Sequence, residues 1–494
     1  MTPQNISPQL ILGLIAAYFL ILIFISYLTS RNTDSETFFL ANRRSPWYVV
    51  AFGMIGTSLS GVTFVSIPGM VRTAQFSYLQ LVLGYLLGYL VIATILMPLY
   101  YRLNLVSIYT YLEQRFGYWS YKTGAAFFLL SRTLGASIRL FLVAGVLQLA
   151  VFNDLGVPFS VSVIITILLI WIYTFRGGMK TIIWTDTFQT TAMLLAVITS
   201  ITLISDELNL SFQGLVNTVS ESDYSQVFFW DFKDSKYFLK QFFSGAFIAI
   251  VMTGLDQDMM QKNLSCKNIG EAQKNMFWFS VILVFVNLLF LALGALLYLY
   301  ANAKGINLPA KGDDVFPFLA LNHFSSFSGI VFILGIIAIT YASADSALTA
   351  LTTSFCVDFL DFRNRSEQER VRMRYIVHFG VSVVMVLVII AFDILNSESV
   401  INAVFKVAGY TYGPLLGLYS FGLYTKRPVR DRFVPIICVV APILTYVISS
   451  NSAEWFSGYE FGFEVLILNG FLTFIGLYGI STKATDLELA QEQL

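Results

Sequence analysis

Apolar runs of about twenty residues, each closed by a polar or charged stretch, recur along the whole chain. A helix of about 20 such residues crosses a bilayer, so the pattern predicts membrane-spanning helices rather than a soluble core. Thirteen stretches qualify: 9–29, 47–70, 78–100, 122–151, 157–175, 186–204, 238–257, 276–300, 328–360, 373–394, 402–424, 432–449 and 460–481. Those at 122–151 and 328–360 exceed the required length and are expected to tilt or to project from the membrane. The leading MTPQNISPQ has no positive segment, so 9–29 reads as a retained helix rather than a cleaved signal.

One stretch breaks the pattern. Residues 47–72 carry Gly53, Gly56, Gly61 and Gly69, Pro68, and the hydroxyls of Thr57, Ser58, Ser60, Thr63 and Ser66. Such residues loosen a helix or delete a ladder donor. Within a membrane the freed carbonyls must find partners in the protein or line a watery cavity. A broken helix holding an ion and a solute is therefore predicted here. The stretch 238–257 repeats the signal with Gly245, Thr253 and Gly254. With the first stretch set aside, 47–204 and 238–424 each hold five spans. Five is odd, so the two sets enter the membrane in opposite senses. Interrupted segments at matching places in two halves point to a secondary transporter's site. The polar, acidic segment 205–237 between them is expected to be an extracellular loop, and 1–494 a single transmembrane domain.

The charged fraction is 12% and the hydrophobic fraction 56%, whereas soluble domains carry about 25% charged residues. The formal net charge is zero, which gives no signal for nucleic acid. Basic residues crowd the alternate connections that contain Arg43, Arg102, Arg176, Lys262, Arg370 and Arg427. By the positive-inside rule those connections are cytoplasmic, the N-terminus is outside and the C-terminus inside a plasma (inner) membrane. Three cysteines and two histidines lie scattered, without zinc or redox spacing. No HExxH, GxSxG or P-loop occurs, so an enzyme is not expected.

Polar chemistry concentrates in two further spans. Residues 335–360 place Ser343, Ser346 and Thr349 around Asp345 at mid-span. Hard oxygens suit a small hard cation; membrane hydroxyls also bond their own i−4 carbonyl. Arg132 and Arg139 are seven residues apart, on one helical face. Arg139 lies near mid-membrane, where it either receives an anionic group of a solute or forms a structural ion pair with Asp256 or Asp345. Arg132 lies deeper and reads as structural.

The segments GTSLSGVTF (56–64), RGGMKTIIWTDTFQ (176–189) and TGLDQDMMQKNLSCKNIGEAQKN (253–275), with the hydroxyl-rich span ending VDF (357–359), resemble the sodium/solute symporter family. The resemblance implies an all-α, LeuT-like five-plus-five inverted repeat with one extra N-terminal and two extra C-terminal helices. It implies a co-transported sodium ion held by the carbonyls of Gly61, Phe64 and Ile339 and by positions 342 and 343. These last are Ala342 and Ser343, so one hydroxyl of the family pattern is missing, and water or Thr340 is the candidate replacement. A second sodium site is implied at Asp186, Asp345 and Ser346; Asp186 also has a plainer reading as an end-of-helix charge. Thr63, Ser66, Arg139, Asp256 and Gln257 are the expected solute contacts. The expected function is sodium-coupled uptake of a small organic solute, carrying a carboxylate, by alternating access in a monomeric working unit within the lipid bilayer. Proton coupling through Asp345 and Asp186 is the alternative, and a channel or a sensor a more distant one.

Overall fold

The computed structural model describes residues 8–29, 35–153, 155–360, 365–395 and 400–482. The principal helices are α1 (Pro8–Thr29), α2 (Trp47–Ser58), α3 (Gly61–Ala74), α4 (Tyr78–Arg102), α5 (Tyr118–Leu147), α6 (Phe159–Thr174), α7 (Gly178–Glu207), α8 (Phe238–Gly254) and α9 (Gln257–Leu264). They continue with α10 (Ile269–Lys304), α11 (Ser326–Phe359), α12 (Glu367–Leu395), α13 (Val400–Thr411), α14 (Gly413–Tyr424), α15 (Val434–Ser450) and α16 (Val465–Gly479). The described residues form no β-strand; two isolated bridges are the only extended pairing.

Eight of these helices are long and apolar enough to cross a membrane, and ten spans result when two bent pairs are each taken as one. The bent pairs are α2 with α3, at 57°, and α8 with α9, at 65°. They fall on the two stretches singled out by glycine and hydroxyl content. The stretch 402–424 is two helices, α13 and α14, meeting at Tyr412. The stretches 157–175 and 186–204 are joined more tightly than their polar connection suggests. α7 starts at Gly178, whose φ of 54° and ψ of −147° turn the chain. A Cβ there would lie 2.5 Å from the Phe38 ring, so only glycine fits the corner.

Close helix approach follows small residues, as expected where apolar area alone gives helices no reason to associate. α4 and α8 meet at Gly84, Gly88 and Gly245, where an added Cβ would strike the backbone of the facing helix. α11 is the hub: 78% of its apolar window is buried, against 22% for α12. It packs on α6 and α7, and also on α2, α5 and α12. α1 lies at the edge, tied to α6 by Ser26 Oγ donating to the Tyr173 carbonyl (2.8 Å) and to α7 by the Thr29–Thr181 hydroxyl pair (2.6 Å).

Candidate functional site

The α2–α3 break is built by two residues outside helical geometry, Leu59 (φ −87°, ψ 86°) and Ser60 (φ −74°, ψ 176°). The backbone ladder stops at Leu59 N–H to the Ile55 carbonyl (2.8 Å) and resumes at Phe64 N–H to the Ser60 carbonyl (3.2 Å). The carbonyls from Gly56 to Leu59 therefore lie outside the ladder. Gly56 also lets α2 lie against α7: its N–H donates to Thr190 Oγ1 (3.1 Å), and a Cβ would stand 2.3 Å from that oxygen.

The α8–α9 break is finished differently. Tyr100 Oη donates to the Gly254 carbonyl (2.9 Å) and Tyr109 Oη to the Leu255 carbonyl (3.0 Å). Asp256 caps α9, accepting from Asp258 N–H (2.9 Å) and from Tyr412 Oη (2.5 Å). Gln257 holds the chain at Ile108 N–H (3.0 Å) and the Val106 carbonyl (2.7 Å). Arg132 of α5 pairs with Asp258 and stands 3.9 Å from Asp256. One break is thus closed by protein donors, while the other presents unpaired carbonyls.

Next to the open break lies a set of buried oxygens. Asp186 of α7 is fully buried; its Oδ2 accepts from Thr57 Oγ1 (2.9 Å) and from Lys262 Nζ (2.5 Å), while its Oδ1 has no partner. The Ser343, Ser346 and Thr349 hydroxyls of α11 are likewise buried without partners. A buried polar atom left unpaired costs about 1–3 kcal/mol, so several on mutually packed helices mark a place where a ligand completes the set. The donors are hydroxyl, carboxylate and carbonyl oxygens, the set a hard cation takes. Among the described residues no cluster of His, Cys, Asp and Glu suited to a transition metal occurs.

On the other side of the break is a cavity of about 80 Å³. Thr57, Ser58, Ser60 and Thr63 form one wall, Tyr78, Tyr85 and Tyr89 of α4 a second, and Arg139 of α5 and Asn287 of α10 face them. Arg139 has no carboxylate within ion-pair distance among the described residues. Tyr78 and Ile401 also border a larger vestibule of about 640 Å³ lined by Ser66, Arg72, Thr73, Lys236 and Asn402. They stand between the two spaces.

The structure sorts the expected residues. Thr63 and Arg139 reach the cavity, whereas Ser66 faces the vestibule. Asp256 and Gln257 do not line either space; their polar atoms are spent on the cap and on the Val106–Ile108 backbone. Gly61 and Phe64 do not provide freed carbonyls, because α3 has already restarted there. The break falls earlier, since it follows Leu59 and Ser60 rather than the glycine at 61. Ile339, Ala342 and Ser343 are buried on α11 as expected. Thr340 is buried on α11 and donates to its own Ile336 carbonyl (2.7 Å), so only its lone pairs are left for the role expected of it. Asp345 accepts one hydrogen bond on each oxygen, from Tyr173 Oη (2.7 Å) and from Ser346 N–H (2.5 Å), whereas Asp186 keeps one oxygen free. Asp256 pairs with Arg132 rather than with Arg139. Lys262 is not a cytoplasmic surface charge: it is 1% exposed, held by Asp186 and Thr57. Asn287 is a cavity residue that sequence reasoning missed, although it interrupts an otherwise apolar mid-span run.

Two bent spans, one with open carbonyls beside a polar cavity, on an all-helical bundle of this apolar character define a secondary membrane transporter. A model of the Sodium:solute symporter family matches residues 38–431; the chain belongs to that family, and it is a sodium-coupled transporter, not an enzyme. It is 25% identical to the sodium/sialic acid symporter NanT of Aliivibrio fischeri, over 90% of this chain and 89% of that one. It is 22% identical to the sodium/sialic acid symporter SiaT of Proteus mirabilis, over 94% and 93%, and 25% identical to the human sodium/iodide cotransporter, over 79% and 61%. Its fold matches that of a Na+-coupled sialic acid symporter solved in a substrate-bound outward-open state, with a TM-score of 0.79 at 20% identity over 94% of this chain and 96% of that one. The nucleobase-cation-symport transporter Mhp1 in a closed conformation matches with a TM-score of 0.55 at 13% identity, over 91% and 95%. The comparisons give no support to proton coupling.

Proposed function

We propose that the chain takes up a small organic anion, carrying a carboxylate, together with sodium by alternating access. The observation that carries this reading is Arg139, a cation with no carboxylate in ion-pair distance among the described residues, which lines a cavity edged by the open break. A guanidinium receives a carboxylate through two parallel hydrogen bonds. Ser60, Thr63, Asn287 and the three tyrosines of α4 supply polar contacts for the rest of the solute. That the sodium-coupled relatives carry sialic acid, iodide or monocarboxylates, all anions, supports the same class.

Sodium fits the oxygens beside the break. The carbonyls between Gly56 and Leu59 would hold it from one side, and Ile339, Ser343, Ser346 and Asp186 from the other. Bound sodium adds positive charge near the cavity and ties α2 to α11, which favours solute binding and then closure. A membrane potential contributes about 2.3 kcal/mol per charge per 100 mV, in addition to the sodium gradient.

In this reading thirteen spans are arranged as 47–204 and 238–424, two five-helix repeats of opposite sense, with one helix before and two after. Segment 205–237 and the vestibule face outward, the Arg132–Asp258 side faces the cytoplasm, and a monomer in the plasma membrane is the working unit. Proteoliposomes under an inward sodium gradient test the solute class. Uptake of a panel of small carboxylates, inhibited by none of the matching amides and esters, is expected. Uptake that favours the neutral compounds, or that proceeds equally with choline in place of sodium, refutes it.

A further inference from the structure

Lys262 sits where the transport cycle needs explaining. It belongs to α9, the short half of the second bent span, yet its ammonium reaches Asp186 Oδ2 on α7 (2.5 Å) and Thr57 at the end of α2. One cation thereby ties the ends of both bent spans to α7. The pair is sealed from solvent, with side-chain exposures of 1% and 0%. Only one oxygen of Asp186 is used: Oδ1 stays unpaired, on a helix that packs against α11, where the Ser343, Ser346 and Thr349 hydroxyls are also unpaired.

We propose that Lys262 is a tethered counter-cation for Asp186. In the sodium-free carrier the ammonium balances the carboxylate, so the empty site can close and reset without a bare buried charge. When sodium arrives it takes Oδ1 while Lys262 keeps Oδ2, and the two cations share one carboxylate. The ammonium then weakens sodium binding, which lets the ion leave on the inner side. This rests on the sodium position read in the preceding subsection.

The geometry explains why a lysine stands there. A buried carboxylate is tolerated only when paired. A strong pair without a free oxygen would shut sodium out, whereas no pair at all would trap it. A second positive charge roughly 5 Å from a bound ion, in a medium of effective dielectric about 20, changes its affinity by at least tenfold. The ammonium is a compact point charge on a flexible stem, able to stay with the carboxylate as α9 shifts against α7.

The test uses the full chain purified in detergent with sodium alone as the probe. Sodium-22 binding is measured at constant ionic strength with choline as replacement, and melting is followed in the same buffers. Lys262→Gln is expected to bind sodium about tenfold or more tightly than the wild type. Its melting temperature is expected to fall in choline and to recover with sodium by more than the wild type gains. Lys262→Arg stays within about threefold of the wild type because the charge is kept, and Asp186→Asn/Lys262→Gln loses the enhanced response. Unchanged or weaker sodium binding by Lys262→Gln, with Asp186→Asn weakening it, overturns the counter-cation and leaves Lys262 a structural pin. Unchanged binding by Asp186→Asn alone instead removes sodium from this carboxylate, and with it the reading beneath the proposal. Should Lys262→Gln not survive purification in sodium, Lys262→Arg decides: tenfold tighter binding with the charge retained overturns the proposal.

Discussion

Arg139→Gln separates a solute receptor from a structural cation, because the two roles predict opposite signs. Arg139 lines the cavity and has no carboxylate within ion-pair distance among the described residues. It is half-buried, so its charge is already partly stripped of water without a carboxylate in direct contact to offset that cost. Replacing it by a neutral amide leaves no carboxylate orphaned. Melting in the absence of solute is therefore expected to stay level or to rise slightly. With the solute carboxylate on the guanidinium, two charge-assisted hydrogen bonds are lost, each worth about 1.5–3 kcal/mol. Taking a total of about 3 kcal/mol, affinity falls roughly 100-fold or more. The assay is a paired one on the purified variant: melting without solute, and solute affinity at saturating sodium from isothermal titration or uptake. A structural ion pair behaves the other way, since breaking a buried pair costs about 3–5 kcal/mol of stability. A marked drop in melting temperature with solute affinity preserved would refute the argument.

Other substitutions test the remaining parts of the frame. Gly56→Val places a branched side chain where even a Cβ stands 2.3 Å from Thr190 Oγ1; α2 is forced off α7, and sodium-dependent melting shifts should disappear while the fold, by circular dichroism, survives. Ser343→Ala removes a buried oxygen that has no protein partner; sodium half-saturation should rise about tenfold, the loss of one ligand of roughly 1.4 kcal/mol, with apo stability unchanged. Thr340→Val serves as its control, because that hydroxyl bonds its own helix, and sodium half-saturation should not move. Arg132→Met leaves Asp256 and Asp258 without their cation, at a cost of about 3–5 kcal/mol; the melting temperature should fall, and cysteines introduced near Gln257 should become accessible from the α9 side.

The sequence displayed spans well because the bilayer imposes them: length and apolarity suffice. Both bent pairs were visible for a similar reason, since glycine and hydroxyls have little business in lipid. The register of the break was not. Gly61 is the stronger helix breaker by residue type, yet the chain turns at Leu59, which carries no such signature, and at Ser60, one of several hydroxyls; the turn is set by α2 ending against Thr190 and Asp186, partners more than 120 residues away in sequence. Lys262 failed for a related reason. A lysine flanked by polar residues looks like a cytoplasmic charge until α9 is folded back into the bundle, where it meets Asp186. Asp256 is a solute-contact candidate because it closes the second bent span in the family motif, yet an Asp immediately before a short helix is also an N-cap, and its carboxylate caps α9. Arg139 was legible because seven-residue spacing from Arg132 put both on one face; only the structure showed that Asp256 and Asp258 satisfy the deeper of the two and leave the other open.

The two bends share a hydrophobic setting and a similar angle, so their different fates need a cause beyond helix breaking. At the α8–α9 bend tyrosines 100 and 109 donate to the exposed carbonyls, and Asp256 turns its carboxylate back on its own amides. The protein has spent donors there, and the bend becomes a rigid hinge point held to α5 through Arg132. At the α2–α3 bend no side chain among the described residues donates to the Gly56–Leu59 carbonyls; Thr190, Asp186 and Lys262 engage the Gly56 amide and the Thr57 hydroxyl. The helices packed against this bend carry further unpaired oxygens: Asp186 Oδ1 and the α11 hydroxyls. Those oxygens lack partners beyond what Lys262 and Thr57 give to Asp186 Oδ2, and the same backbone forms a wall of the cavity that holds Arg139. If sodium binds as proposed, coupling follows from adjacency rather than from a long relay: an ion held at Gly56–Leu59 would fix the wall against which the proposed anion is held.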